Sequence, residues 1–192
     1  MKRAFDIIIA LIALAIFLPI IFLACLAIKL YDGGPIFYTQ TRIGKDGKEF
    51  KMWKLRSMKT NADALRASLI GEGVVRFKDV ADPRITPPGK VIRKTSIDEM
   101  PQLFNVLMGD MSIVGPRPPI PEEVAKYNAR HRRRLEVPQG ITCYWQIMGR
   151  NELDFDTQVD LDIKYIEDKS FLTDLGILAR TIPAVVSGRG AH

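Results

Sequence analysis

Histidine and cysteine are nearly absent from this chain, two of each in 192 residues. His131 and His192 form no cluster, and a lone histidine beside arginines reads as a solvated surface residue, so neither is assigned a function. Cys25 sits in an apolar run and Cys143 among Thr142, Tyr144 and Trp145. Their spacing matches no zinc or redox motif, which leaves a buried or membrane-facing role. Aromatic residues are 8% and do not interleave with the basic run at residues 130–134, so no stacking platform for single-stranded nucleic acid is evident. Internal repeats, linkers and low-complexity stretches are missing too. What the chain does have is apolar content, 47%, beside 26% charged residues, which excludes disorder and fits one domain with a modest core. A net charge of +6 and a pI near 9.4 point to anionic partners: nucleic acid, a nucleotide sugar or anionic lipid headgroups.

The longest apolar run follows Met1-Lys2-Arg3 and extends over residues 4–28, interrupted only by Asp6 and Pro19 and followed by Lys29. About 20 apolar residues suffice to cross a bilayer. Three readings compete. A cleaved signal peptide fits the basic start, but the run is long for it and no small-x-small site is clear. Phe22-Leu23-Ala24-Cys25 resembles a lipoprotein cleavage site only faintly. A plain spanning helix is the default. A re-entrant hairpin is the third, because basic residues flank both ends and Pro19 removes a helix hydrogen bond past the middle. Two arms of about ten residues reach only about 15 Å, half the hydrocarbon thickness.

Asp32-Gly33-Gly34-Pro35 is a turn, residues 36–43 read as a strand, and Lys45-Asp46-Gly47-Lys48 signals a hairpin. The returning strand, residues 49–58, alternates so that Lys54 falls on the face of Phe50 and Met52. A lysine aligned with a packing face is either snorkelling or a phosphate contact. Residues 61–69 suggest a short helix, and residues 71–88 a loop broken by Asp82-Pro83 and Pro87-Pro88-Gly89. Pro121 opens a helix with Glu122 and Glu123 in its first turn and the basic run of residues 130–134 near its end. That run suits either a solvated helix end or anionic headgroups, and the apolar N-terminal run favours the second. Residues 139–146 read as a strand, and residues 155–167 and 171–186 as helices. Leu172, Leu175, Leu178, Ile182 and Val186 form a stripe in the last helix, read as core with a membrane-surface face as the alternative.

The most informative stretch runs from Arg93 to Pro118. Asp98 and Glu99 are adjacent acids before a short apolar run that can be a helix. Ser96-x-x-Glu99 fits a capping box, the bland reading. Pro101 stands too early for a plain first turn, so the acids are expected on an irregular helix entrance. Gly115-Pro116-Arg117-Pro118-Pro119 is stiff enough to hold Arg117 at a set angle. Two carboxylates facing a fixed guanidinium suit phosphate chemistry with a divalent cation.

These residues, together with Gln102-Leu103, Asn105-Val106-Leu107 and Gly109-Asp110-Met111-Ser112, resemble the core motif of the monotopic phosphoglycosyl transferases, the bacterial sugar transferases that start glycan assembly on polyprenyl phosphate. The resemblance extends across nearly the whole chain, including Phe50-Lys51-Met52-Trp53-Lys54. It implies an α+β fold: a re-entrant membrane helix hairpin over residues 1–30, then a small cytoplasmic domain, residues 31–192, with a β-hairpin and surface-associated helices. It implies transfer of a sugar-1-phosphate from a UDP-sugar to undecaprenyl phosphate with release of UMP, at the cytoplasmic face of the bacterial inner membrane. Asp98 would be the nucleophile and Glu99, with Asp98, would hold Mg²⁺. Lys54, Arg93, Arg117 and Arg150 would bind substrate, and a homodimer is admitted. The family typically has Pro-Gly-Ile-Thr-Gly where this chain has Gln139-Gly140-Ile141-Thr142-Cys143, a departure that bears on substrate choice. Two other classes remain: a membrane-tethered basic binding module, which leaves the acid pair unexplained, and a glycosidase, whose two acids must flank a bond from opposite sides.

Overall fold

The computed structural model describes residues 1–62, 64–65, 82–149 and 153–186. The fold is α+β, with a long apolar helix at its start. Helix α1, Lys2–Asp32, is one helical element with Pro19 inside it, where the sequence predicts two arms. An interior proline removes one hydrogen bond without ending a helix whose neighbours on both sides are good apolar helix formers. Gly33 closes it at φ 69°, donating its N–H to the carbonyl of Lys29.

Both halves of α1 lie on the same body of protein. In the first half, Ala10 packs with Met52, Leu103 and Val106; in the second, Ala24 and Ile28 pack with Leu55 and Ile92. The ends are fastened by polar contacts. Lys2 donates to Asp174 at 2.7 Å, and Asp6, buried, accepts from the Ser112 hydroxyl at 3.0 Å and the Ile113 N–H at 3.1 Å. Arg3 reaches the carbonyls of Val106 and Leu107, and at the far end Arg56 clamps Asp32. Between them, Leu11, Ile12, Ile16, Leu18, Ile20, Phe22 and Leu23 are exposed.

Strands β1, Phe37–Ile43, and β2, Glu49–Leu55, form the expected antiparallel hairpin, with Tyr38 opposite Lys54. Asp46 and Gly47 both take positive φ, 57° and 80°, as a tight hairpin turn of this handedness requires. The second strand stops at Leu55, short of the predicted 58; Met58 makes only an isolated bridge to Ile85. Of the helix predicted at 61–69, Asn61 lies in a turn, Ala62, Ala64 and Leu65 are helical, and the other positions lie outside the described residues. Pro87 and Pro88, expected as breakers, instead open helix α2, Pro87–Lys94, capped by Thr86, whose hydroxyl accepts from the Gly89 N–H. Proline at a helix start forfeits only an N–H that has no partner there anyway.

A 3-10 turn, Ile97–Glu99, leads through Pro101 into helix α3, Gln102–Met108. The fully buried Asn105 of α3 fastens the open edge of β2: its side-chain oxygen accepts from the Trp53 N–H at 3.0 Å and its amide donates to the Lys51 carbonyl at 2.8 Å. Strand β3, Ser112–Val114, carries no sequence signal of its own, and neither does its parallel pairing with β4, Gly140–Thr142. The two chain segments touch at Gly115 and Gly140, where a Cβ on Gly140 would lie 2.1 Å from the Gly115 nitrogen. Only glycine fits there.

The helix expected from Pro121 is broken into α4, Pro121–Val124, and α5, Ala129–Arg132, because Asn128 starts a new helix by accepting from the His131 N–H. The strand expected over 139–146 ends at Thr142, and residues Tyr144–Met148 form the short helix α6. Helices α7, Phe155–Asp168, and α8, Phe171–Val186, match expectation in extent. Among the described side chains, the stripe on α8 is core only at Leu178: Leu172, Leu175 and Ile182 are exposed, which leaves the membrane-surface alternative open for them, while Ile177 and Asp174 face inward. Asp174 is held by Lys2 and by the Tyr165 hydroxyl, so these polar contacts set the helix's rotation.

Candidate active site

The acids stand on the 3-10 turn because Ser96 adopts a left-handed conformation, φ 56°, uncommon for a residue with a side chain. Ser96 makes no side-chain cap, so the capping box is not formed. Glu99 turns elsewhere. Its carboxylate accepts from the Lys54 ammonium at 2.8 Å and lies 3.8 Å from the Arg117 guanidinium. Lys54, predicted on the inward face of β2, is thus a charge contact and not a snorkelling lysine.

Asp98 and Glu99 open into a cavity of about 680 Å³, which is also lined by Lys54, Arg93 and Arg117. Five of the six residues expected at the site are therefore brought together; Arg150 lies outside the described residues. Burial pushes the Asp98 carboxyl up to about 6, against the opposing pull of Lys54 and with Glu99 adding to the rise. Arg93 is presented by the last turn of α2 and lowers the Asp98 value in turn. That helix is seated on the end of the hairpin, since Thr86 donates its N–H to the Ser57 carbonyl at 3.0 Å. Gly89 comes so close to Ser57 that a Cβ would lie 2.0 Å from its oxygen.

Arg117 depends on the hairpin as well. The Arg42 guanidinium donates to the Pro118 carbonyl at 2.9 Å, and the Ile43 N–H to that of Pro119 at 3.0 Å, which pins the proline-flanked turn to β1. Burial, then the neighbouring Arg117 charge, lowers the Arg42 pKa to about 10, so it stays cationic at neutral pH. Sequence reasoning misses Arg42, although strand alternation places it on the face of Tyr38 and Gln40, both cavity-lining.

The remaining wall carries Ile141, Thr142, Trp145, Gln146 and Thr181. Neither departure from the family motif lines the cavity directly. Gln139 is fully buried and donates to the carbonyls of Arg134 and Val137. Cys143 is also fully buried, its thiol pushed up by burial, and it donates to the Gln146 side-chain oxygen at 3.3 Å. Only through Gln146 does the second substitution touch the cavity.

Of the basic run expected at anionic headgroups, Arg134 is buried in the protein, while Arg130 and Arg133 stay partly exposed and pair with acids of α7. Arg134 pairs with the fully buried Asp162, 2.7 Å, Arg133 with Glu167, 3.2 Å, and Arg130 with Asp160. His131 is not a free surface residue; it packs edge-on against Tyr127 and Phe155. His192 lies outside the described residues.

Chemically, two carboxylates on one turn face one cavity, so they cannot flank a glycosidic bond from opposite sides. Among the described residues no group of three or more histidine, cysteine or acidic side chains gathers into a metal cluster. The acid pair fits a hard cation that takes one or two carboxylates and completes its shell with substrate oxygens and water.

Comparison with known proteins identifies the family. A sequence model of the bacterial sugar transferases matches residues 1–188. The exopolysaccharide production protein ExoY of Sinorhizobium fredii is 40% identical over 198 residues, covering 100% of this chain and 88% of that protein. The galactosyl transferase CpsE of Streptococcus agalactiae is 48% identical over 164 residues, 83% of this chain and 36% of that protein. The undecaprenyl-phosphate galactose phosphotransferase of Salmonella typhimurium is 40% identical over 199 residues, with 100% of this chain but 42% of the relative covered. The chain therefore spans well under half of some relatives and nearly all of others. With a family match over almost its full length and its acid pair set among three basic side chains in one cavity, this chain belongs to the bacterial sugar transferase family.

Proposed function

We propose that the chain transfers a sugar-1-phosphate from a UDP-sugar to polyprenyl phosphate, releasing UMP, by way of a covalent intermediate on Asp98. The observation that carries this reading is the half-buried Asp98 beside the Lys54–Glu99–Arg117 charge cluster in one cavity. An Asp98 oxygen attacks the phosphorus bearing the sugar; an O–P bond forms, the diphosphate P–O bond breaks, and UMP leaves. A polyprenyl phosphate oxygen then attacks the same phosphorus, and the Asp98 carboxylate departs unchanged. Lys54, Arg93 and Arg117 hold phosphate oxygens and offset the charge that gathers on the transferred group. Glu99, with Asp98, would hold Mg²⁺, which when bound would further neutralise the phosphate oxygens. Arg150 is assigned to substrate by family resemblance alone.

Residues 1–30 are the membrane anchor in this reading and residues 31–192 the catalytic part. One helix among the described residues, Lys2–Asp32, is long and apolar enough to enter a membrane. Lys2, Arg3 and Asp6 at one end and Asp32 at the other contact the same body, which favours a segment that dips in and returns over one that crosses. The exposed Ile16, Leu18, Ile20, Phe22 and Leu23 would lie at the inserted apex, and the catalytic part would face the cytoplasm. Cysteine labels near residues 2 and 30, in a protein lacking Cys25 and Cys143, should both react from the cytoplasmic side; periplasmic labelling of one restores a spanning helix.

The two-step mechanism is tested by initial rates against both substrates. Parallel double-reciprocal lines are expected. Intersecting lines mean direct attack by polyprenyl phosphate.

A further inference from the structure

We infer that Asn105 is a positioning residue for Lys54, and so for the charge cluster around Glu99. Asn105 sits in α3, a few residues after the acid pair, and is fully buried. Strand β2, which carries Lys54, has no third strand beside it among the described residues. The Asn105 side chain takes that strand's place. Its oxygen accepts from the Trp53 N–H at 3.0 Å, and its amide donates to the Lys51 carbonyl at 2.8 Å. These are the backbone groups a neighbouring strand would have used. Trp53 is the residue next to Lys54, so the contact fixes the backbone from which Lys54 reaches Glu99 at 2.8 Å.

The side chain is itself held in orientation. Its amide also donates to the Asp110 carboxylate at 3.2 Å, which sets which end is oxygen and which nitrogen. The Asn105 main-chain carbonyl accepts from the N–H groups of Gly109, Asp110 and Met111, which closes the end of α3 and brings Asp110 back beside it. One residue thus ties the element that follows Asp98 and Glu99 to the strand that supplies their lysine. Aspartate has the same shape but no donor, so the oxygen that replaces the amide nitrogen would face both the Lys51 carbonyl and the Asp110 carboxylate, and β2 would be pushed away. A shift of about 1 Å at a charged catalytic contact can cost about 10²-fold in rate.

Lys54 acts on the transferred phosphate only if the proposed function holds, so the test includes Lys54 itself. The steady-state rate of UMP release from a UDP-sugar with polyprenyl phosphate present would be measured in detergent for Asn105→Asp, Lys54→Met and the double variant, with thermal melting as a check on the fold. The expected result is a fall of about 10²-fold in kcat for Asn105→Asp with little change in KM, and no more than about a twofold further fall when it is added to Lys54→Met. A full additional loss in the Lys54→Met background overturns the inference while leaving the function standing. Lys54→Met at the wild-type rate overturns the role of Lys54 and the inference together. Where Asn105→Asp does not fold, Asp110→Ala decides. It loosens the amide from a less buried position and should lower kcat about threefold to tenfold, with the loss absent beside Lys54→Met. Wild-type kcat in Asp110→Ala, or an equal loss in both backgrounds, counts against the assignment.

Discussion

Two groups of basic residues in this molecule look alike in the sequence and differ in the fold. Lys54, Arg93 and Arg117 come from three separate elements and meet in a cavity beside Asp98 and Glu99. The run at residues 130–134 is contiguous, yet helix α7 supplies Asp160, Asp162 and Glu167 to neutralise Arg130, Arg134 and Arg133. The first group sets three cations against the two acids of the turn, which leaves it able to take a diphosphate. The second is part of how α7 is attached. A basic residue serves a ligand or the fold according to what counter-charge surrounds it, and contiguity in the chain does not decide that.

The contrast breaks most sharply at Asp98. Asp98→Asn should lower UMP release by on the order of 10³-fold or more while the melting temperature holds or rises, because the variant removes a partly desolvated charge. In the second group the outcome should be inverted. Arg134→Met leaves Asp162 buried without its partner, which should cost about 3–5 kcal/mol of stability in a denaturant titration. The kcat of the fraction that stays folded should remain within about twofold of wild type.

Acidity separates the groups further. Burial raises Asp98 to about 6, above the usual carboxylate range, so the ionised nucleophile is lost as pH falls through that value. UMP release should therefore drop about tenfold per unit below pH 6. The same raised value means that folding gains from Asp98 at low pH and loses that contribution as pH rises towards 6. Lys54→Met removes the largest charge favouring ionisation, and should move the acid limb to higher pH. Arg133→Gln should move neither the limb nor the rate. The smallest effect is expected from Arg130→Gln and Arg133→Gln together, about 1 kcal/mol or less in stability, because these pairs are solvent-exposed. Binding to anionic vesicles should be unchanged; a clear loss would return the run to the membrane surface.

What is legible in the sequence is what depends on neighbours in the chain. The Asp46-Gly47 turn announces the hairpin, alternation puts Lys54 on the inward face, and Pro101 marks an irregular entrance for Asp98 and Glu99. Residues whose partners are distant are not legible. Strand β4 is read within residues 139–146, but the three-residue β3 and its parallel pairing with β4 show only once the two segments meet. Helical spacing shows the α8 stripe but cannot say which side faces the core, and Asp174, bound to Lys2 and Tyr165, decides it. Arg42 and Asn105 work through backbone carbonyls and N–H groups of other elements, a role that leaves no pattern in composition or spacing.

Whether Asp98 carries the sugar phosphate can be read from the intact mass of the enzyme after incubation with a UDP-sugar alone. The covalent route predicts one equivalent of UMP released, a mass gain of one sugar phosphate mapping to the peptide that contains Asp98, and neither in Asp98→Asn. An unmodified enzyme that nonetheless completes transfer when polyprenyl phosphate is added would contradict it.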